Sequence, residues 1–121
     1  MLLNDFFTIQ KQRKLSEQST EFDLRLNTTH SIFDGHFPEQ PVVPGVCMLQ
    51  MVTETINQTL HRKVYLFESN VVKFLNVVDP KIHPEITLKI LWKSIEENEI
   101  NIDAQLFFEQ TIFFKFKGKF Q

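Results

Sequence analysis

The sequence is short of the residues that mark several protein classes. Its one cysteine, Cys47, cannot form an internal disulfide, so a reducing cytoplasm is the expected setting. Three glycines and five prolines leave no flexible linker and no collagen-like repeat. No apolar run approaches the roughly 18 residues of a membrane span. The opening Met1-Leu2-Leu3-Asn4-Asp5 lacks the basic and apolar regions of a signal peptide, so none is expected. Charge of either sign is not in excess. Lys and Arg number 13 against 15 Asp and Glu, a formal net charge of -2, which offers no global field to nucleic acid or to an anionic membrane. Neither is expected as a partner.

What remains is an ordinary globular mix, with 42% hydrophobic and 23% charged residues. The 121 residues make one domain's worth of chain, read as a single domain over 1–121. Thirteen Phe stand against one Trp and one Tyr. A chain of this size buries a modest share of its surface, so these rings must crowd one core or cover an interface.

Apolar alternation predicts most of the elements. Phe22, Leu24 and Leu26 share one face of a strand, with Glu21, Asp23 and Arg25 on the other. Residues 64–78 read as a strand bent near Asn70, and 86–93, 100–108 and 112–117 as three more joined by short turns, an antiparallel meander. A helix is expected from about Pro44, since proline suits a first turn. Val46, Met48, Leu49, Met51 and Val52 make its start apolar on all sides, so that start is expected to be buried all round. Phe107 and Phe113 fall on otherwise polar strand faces and hint at a covering partner.

Between the second strand and the helix, Asn27, Thr28, Thr29, Asp34, Gly35, Pro38, Pro41 and Pro44 break up any long element. Ile32, Phe33, Phe37, Val42 and Val43 are nevertheless apolar. A loop with packed side chains is more often a site than a spacer. Within it, His36 can take and return a proton near neutrality. Gly45 and Val46 stand at a helix N-terminus, where backbone N–H groups lack helical partners and carry partial positive charge. Such donors polarise a carbonyl or hold an oxyanion. A base beside an oxyanion site is what proton abstraction next to a thioester carbonyl requires.

Gly35-His36-Phe37-Pro38, a short gap, then Pro41-Val42-Val43-Pro44-Gly45-Val46 resembles the signature of the hotdog-fold 3-hydroxyacyl-acyl-carrier-protein dehydratases of the FabZ/FabA type. Lys73-Phe74-Leu75 through Val78-Asp79-Pro80 resembles the strand that follows the helix in that family. The resemblance implies an α+β hotdog, a long helix wrapped by an antiparallel sheet, assembled as a homodimer or higher oligomer with acyl tunnels at the subunit interface. It implies reversible dehydration of a 3-hydroxyacyl thioester to a trans-2-enoyl thioester, in fatty-acid or polyketide/polyene-type biosynthesis. The acyl group would ride on acyl carrier protein through phosphopantetheine, or on CoA. No metal or redox cofactor is implied. His36 would be the base on C2, and the Gly45 N–H, with Val46, Phe37 and Val43 nearby, would bind the thioester.

The family places an acid on the helix, Glu in FabZ types and Asp in FabA types. Here Gln50 stands fourteen residues after His36, where that acid belongs. An amide can orient a hydroxyl but cannot supply a carboxyl proton. Three readings stay open: a dehydratase in which His36 serves as base and acid in turn, a weakly active or non-catalytic subunit of an active partner, and Glu54 as substitute acid one turn on. A thioesterase on the same fold is a further alternative. Gln50, between Leu49 and Met51, is expected to be buried. His30 reads as a hydrogen-bonded loop histidine, Cys47 as a small buried hydrophobe, His61 and His83 as surface residues, and Glu54 as an ordinary polar helix residue.

Overall fold

Alternation builds the sheet. The strands are β1 (Phe7–Lys14), β2 (Ser19–Leu26), β3 (Leu66–Phe74), β4 (Glu85–Ile95), β5 (Ile100–Phe108) and β6 (Thr111–Phe120), with a helix α1 (Gly45–Leu60) between β2 and β3. The computed structural model describes residues 1–34 and 41–121. All strand pairs are antiparallel, in the order β1-β2-β4-β5-β6-β3. The expected meander is β4-β5-β6. β3 precedes it in the chain yet pairs with β6 at the far edge.

One helix lies against the inner face of this sheet. Cys47, Met48, Met51, Val52, Thr55 and Ile56 are its buried residues on that side, at helical three- and four-residue spacing, and Glu54 is buried as well. They share one core with Phe22, Leu24, Leu88, Ile90, Ile102, Leu106 and Phe116, which point inward from their strands. α1 starts one residue later than expected, because Pro44 takes the cap position with extended backbone (φ -60, ψ 145). It ends at His61, left-handed at φ 54, and the Asn57 side chain accepts from Val64 N–H at 2.8 Å to turn the chain away.

Several expectations are corrected. The start of α1 is not buried all round: Val46 is 73% exposed, because the sheet covers only one side of the helix. The strand expected over 64–78 stops at Phe74, although the bend near Asn70 is there as a break in register between Ser69 and Val71. Phe113 needs no second chain. The register slips between Leu106 and Phe107, and Phe113 is buried under the His83 ring, 5.1 Å away. His83 is accordingly half-buried, where an open surface position was expected. It also packs 5.2 Å from Phe108, and its Nδ1 is buried without a hydrogen-bond partner among the described residues. No helix among the described residues is long and apolar enough to cross a membrane.

Two tests follow from this packing. A Cβ at Gly118 would lie 2.4 Å from the Phe116 ring and 3.0 Å from the Glu68 backbone oxygen. Phe116 is buried and cannot swing aside freely, so Gly118→Ala should destabilise by about 1–3 kcal/mol in urea denaturation. On the outer face, Arg13 grips Asp23 with two bonds of 2.6 and 2.7 Å. That hydrogen-bonded guanidinium holds the Asp23 carboxyl below its usual pKa. A depressed folded pKa adds stability above the unfolded value and loses it as pH falls through the folded one. Wild type should therefore exceed Asp23→Asn in stability at neutral pH, and the gap should close as pH falls below about 4.

Candidate active site

The segment that carries the expected site is held on both flanks. On the upstream side His30 opens a short 3-10 turn, Ser31–Phe33. Its Nδ1 accepts from Ile32 N–H at 3.0 Å, and its Nε2 sits 3.1 Å from Asp5. It is thus the structural histidine expected, with both ring nitrogens engaged. Phe33 is buried against Phe6 at 5.3 Å. On the downstream side, Val43 N–H donates to Val78 C=O at 2.9 Å, which fixes the entry to α1. His36 and Phe37 lie outside the described residues.

α1 opens without a side-chain cap. Cys47 and Met48 N–H turn back to Pro44 C=O, whereas Gly45 and Val46 N–H have no partner among the described residues. These are the orphan donors of a helix N-terminus, with the partial positive charge that goes with them. Beside them runs an apolar groove of about 650 Å³, lined by Val42, Val43, Gly45, Met48, Phe74 and Leu75. Val43 and Gly45 therefore come together, and Val46 stands exposed next to them. Phe74 was not singled out from the sequence. Its ring lies over Gly45 so closely that a Cβ there would be 2.8 Å from Cζ.

Gln50 is not in that groove. Contrary to expectation it is exposed, on the helix face the sheet leaves bare. It borders a second groove of about 480 Å³ with Met1, Leu3, Glu54 and Tyr65. It is Glu54, one turn on, that is buried: it is 3% exposed and not the ordinary surface carboxylate expected. Its oxygens accept from Leu2 and Leu3 N–H at 2.8–2.9 Å and from Gln50 Nε2 at 2.8 Å. With its acceptor positions engaged, Glu54 is poorly placed to serve as a substitute acid. The four-residue spacing from Gln50 was visible in the sequence. The burial was not, since it depends on the opening residues crossing the helix. Cys47 is buried, and burial pushes its thiol pKa up, away from the thiolate a nucleophile needs.

Gly45→Ala tests how freely Phe74 moves. Phe74 is 53% exposed, so its ring can swing outward. The fold should be retained, with a melting temperature within about 4 °C of wild type, because alanine also gains helix propensity there. A larger drop would mean that the ring is fixed.

Residues 11–115 match the ApeI-like family, described as ApeI dehydratase. The 3-hydroxyacyl-[acyl-carrier-protein] dehydratase FabZ of Rickettsia typhi is 34% identical over a segment covering 40% of this chain and 39% of the relative. The Rickettsia massiliae protein matches to the same extent. The chain thus spans well under half the length of these relatives in the match. Among solved structures, the dehydratase heterocomplex ApeI:P from Xenorhabdus doucetiae superposes with a TM-score of 0.70 at 24% identity, covering 93% of this chain and 95% of that one. A mutant thioesterase from Pseudomonas aeruginosa gives 0.62 at 9% identity over 91% and 78%. The architecture is the hotdog fold these neighbours share. With a family match running over most of its length, the chain belongs to the ApeI-like dehydratase family.

Proposed function

We propose that the protein is a hydro-lyase that interconverts 3-hydroxyacyl and trans-2-enoyl thioesters carried on acyl carrier protein. The observation that carries this reading is the pair of N–H groups at Gly45 and Val46, without partners among the described residues, beside an apolar groove. An acyl chain fits such a groove, and a thioester oxygen fits the donors at its head. In this reading Gly45 N–H binds the thioester oxygen and so acidifies C2. His36 removes the C2 proton. The C3–O bond then breaks, C2 and C3 become doubly bonded, and the hydroxyl leaves as water with the proton returned by His36. Gln50 orients that hydroxyl.

Gln50 borders a different groove from Gly45 on the same chain, which supports a site completed by a second chain. The means of assembly is at hand. β3 is an edge strand, and Leu66, Phe67, Val72 and Phe74 on it are exposed, as are Leu75 and Val77 just beyond. A second reading follows from the same place: this chain is one subunit of a heteromer whose partner supplies the carboxylic acid. The structural similarity to a component of a dehydratase heterocomplex supports it. A thioesterase on this fold would instead release a free acid.

The test is incubation of 3-hydroxyacyl carrier-protein thioesters with wild type and His36→Ala, followed by mass. Wild type should give the product 18 Da lighter in the manner of water loss, and His36→Ala should be slower by about 10²–10⁴-fold. Release of free acid would replace this reading with the thioesterase one. Turnover only after addition of a second hotdog chain would establish the heteromeric one.

A further inference from the structure

We propose that Glu54 is a positioning residue: it holds the amide of Gln50 so that the carbonyl oxygen, and not the NH₂ group, faces the substrate's 3-hydroxyl. The inference rests on the dehydratase reading above, and it concerns the one carboxylate buried among the described residues, which that reading leaves unused.

The geometry leaves the amide one orientation. Leu2 N–H lies 2.9 Å from each Glu54 oxygen, Leu3 N–H lies 2.8 Å from Oε1, and Gln50 Nε2 lies 2.8 Å from Oε2. A carboxylate only accepts, and backbone N–H groups only donate, so Gln50 must present its nitrogen inward. An exposed glutamine otherwise turns its amide over freely. Here the acceptor cannot move aside. Glu54 is buried, and the residues that hold it are themselves fixed by a tight turn in which Leu2 C=O accepts from Asp5 and Phe6 N–H. Phe6 and Phe7, next along, are fully buried in the core. Gln50 Oε1 has no partner among the described residues and is the atom left to meet a ligand.

That polarity suits a site without a carboxylic acid. An outward oxygen accepts a hydrogen bond from the 3-hydroxyl and turns the hydroxyl's lone pairs away from Gln50. They are then free for the proton that His36 took from C2. An outward NH₂ would occupy those lone pairs instead. The pair also bears on the missing acid. Gln50→Glu would set two carboxylates at about the 2.8 Å now spanned by a hydrogen bond, where like charges repel. Exchanging both residues keeps a donor facing an acceptor.

The test combines kinetics with the side-chain amide NMR signals of Gln50 in the full chain. Glu54→Gln keeps an oxygen for Leu2 and Leu3 but turns an NH₂ toward Gln50, which must then flip. The Gln50 amide signals should move, and kcat should fall about 2–10-fold, the worth of one neutral hydrogen bond, with KM little changed. In a Gln50→Ala background Glu54→Gln should cost nothing further. The exchanged pair, Gln50→Glu with Glu54→Gln, should exceed Gln50→Glu alone. The proposal falls if Glu54→Gln slows turnover equally in the Gln50→Ala background, which is the mark of a purely structural role. It also falls if the Gln50 signals stay in place while wild type remains an active dehydratase. Absence of turnover by wild type, alone and with a partner chain, removes the dehydratase reading and the positioning role with it. The amide signals would still report whether the bond to Glu54 exists.

Discussion

A single helix has to keep water from one whole face of a six-stranded sheet, and the rest of the molecule is arranged around that demand. The buried stripe of α1 is narrow, so the strands must bring bulk to it. β6 does so with Phe114, Phe116 and Phe120, whose rings follow one another at 6.0–6.1 Å. Phe74 extends the row at 5.1 Å from Phe114. This is the physical use of the phenylalanine excess: wide, flat side chains span a gap that leucines on the same strands would leave open. The same demand leaves the far side of α1 bare. The groups to which the proposal gives chemistry, the Gly45 and Val46 N–H groups and the Gln50 amide, lie at the head and on the flank of the helix whose inner face is committed to packing.

The sheet was legible because its signal is local. Strands such as β5, with Ile100, Ile102, Ala104 and Leu106 inward, state their own faces, and short turns state their pairing. Harder to read was anything that depends on which distant segment lies on top. The helix start looked apolar all round, yet sequence cannot say that the sheet covers one side only. His83 lies in the loop before β4 and Phe113 in β6, and only folding brings them into contact. The site divided in the same way. The place of Gly45 at the head of the helix could be read from the sequence. Phe74, about thirty residues on, came to lie against it only through the β3–β6 pairing.

Glu54 shows how far such a dependence reaches. On a helical wheel it lies one turn from Gln50 and reads as solvated. Leu2 and Leu3 change that by placing two backbone donors over its carboxylate. Burial of a charged group is tolerated where hydrogen bonds replace its hydration, and here they come from backbone rather than from a cation. Residues 51 and 52 positions apart, one set without side-chain chemistry, thereby fix the presentation of an exposed amide.

The edge strand β3 carries a different kind of consequence. Its Leu66, Phe67, Val72 and Phe74 are left 38–53% exposed among the described residues. Any strand that pairs there binds the folded form and not the unfolded one, and mass action then adds to stability as its concentration rises. The melting point of such a protein is not a fixed property of its sequence. It becomes a measure of how much partner is present, and dilution alone can weaken a fold whose every internal contact is intact.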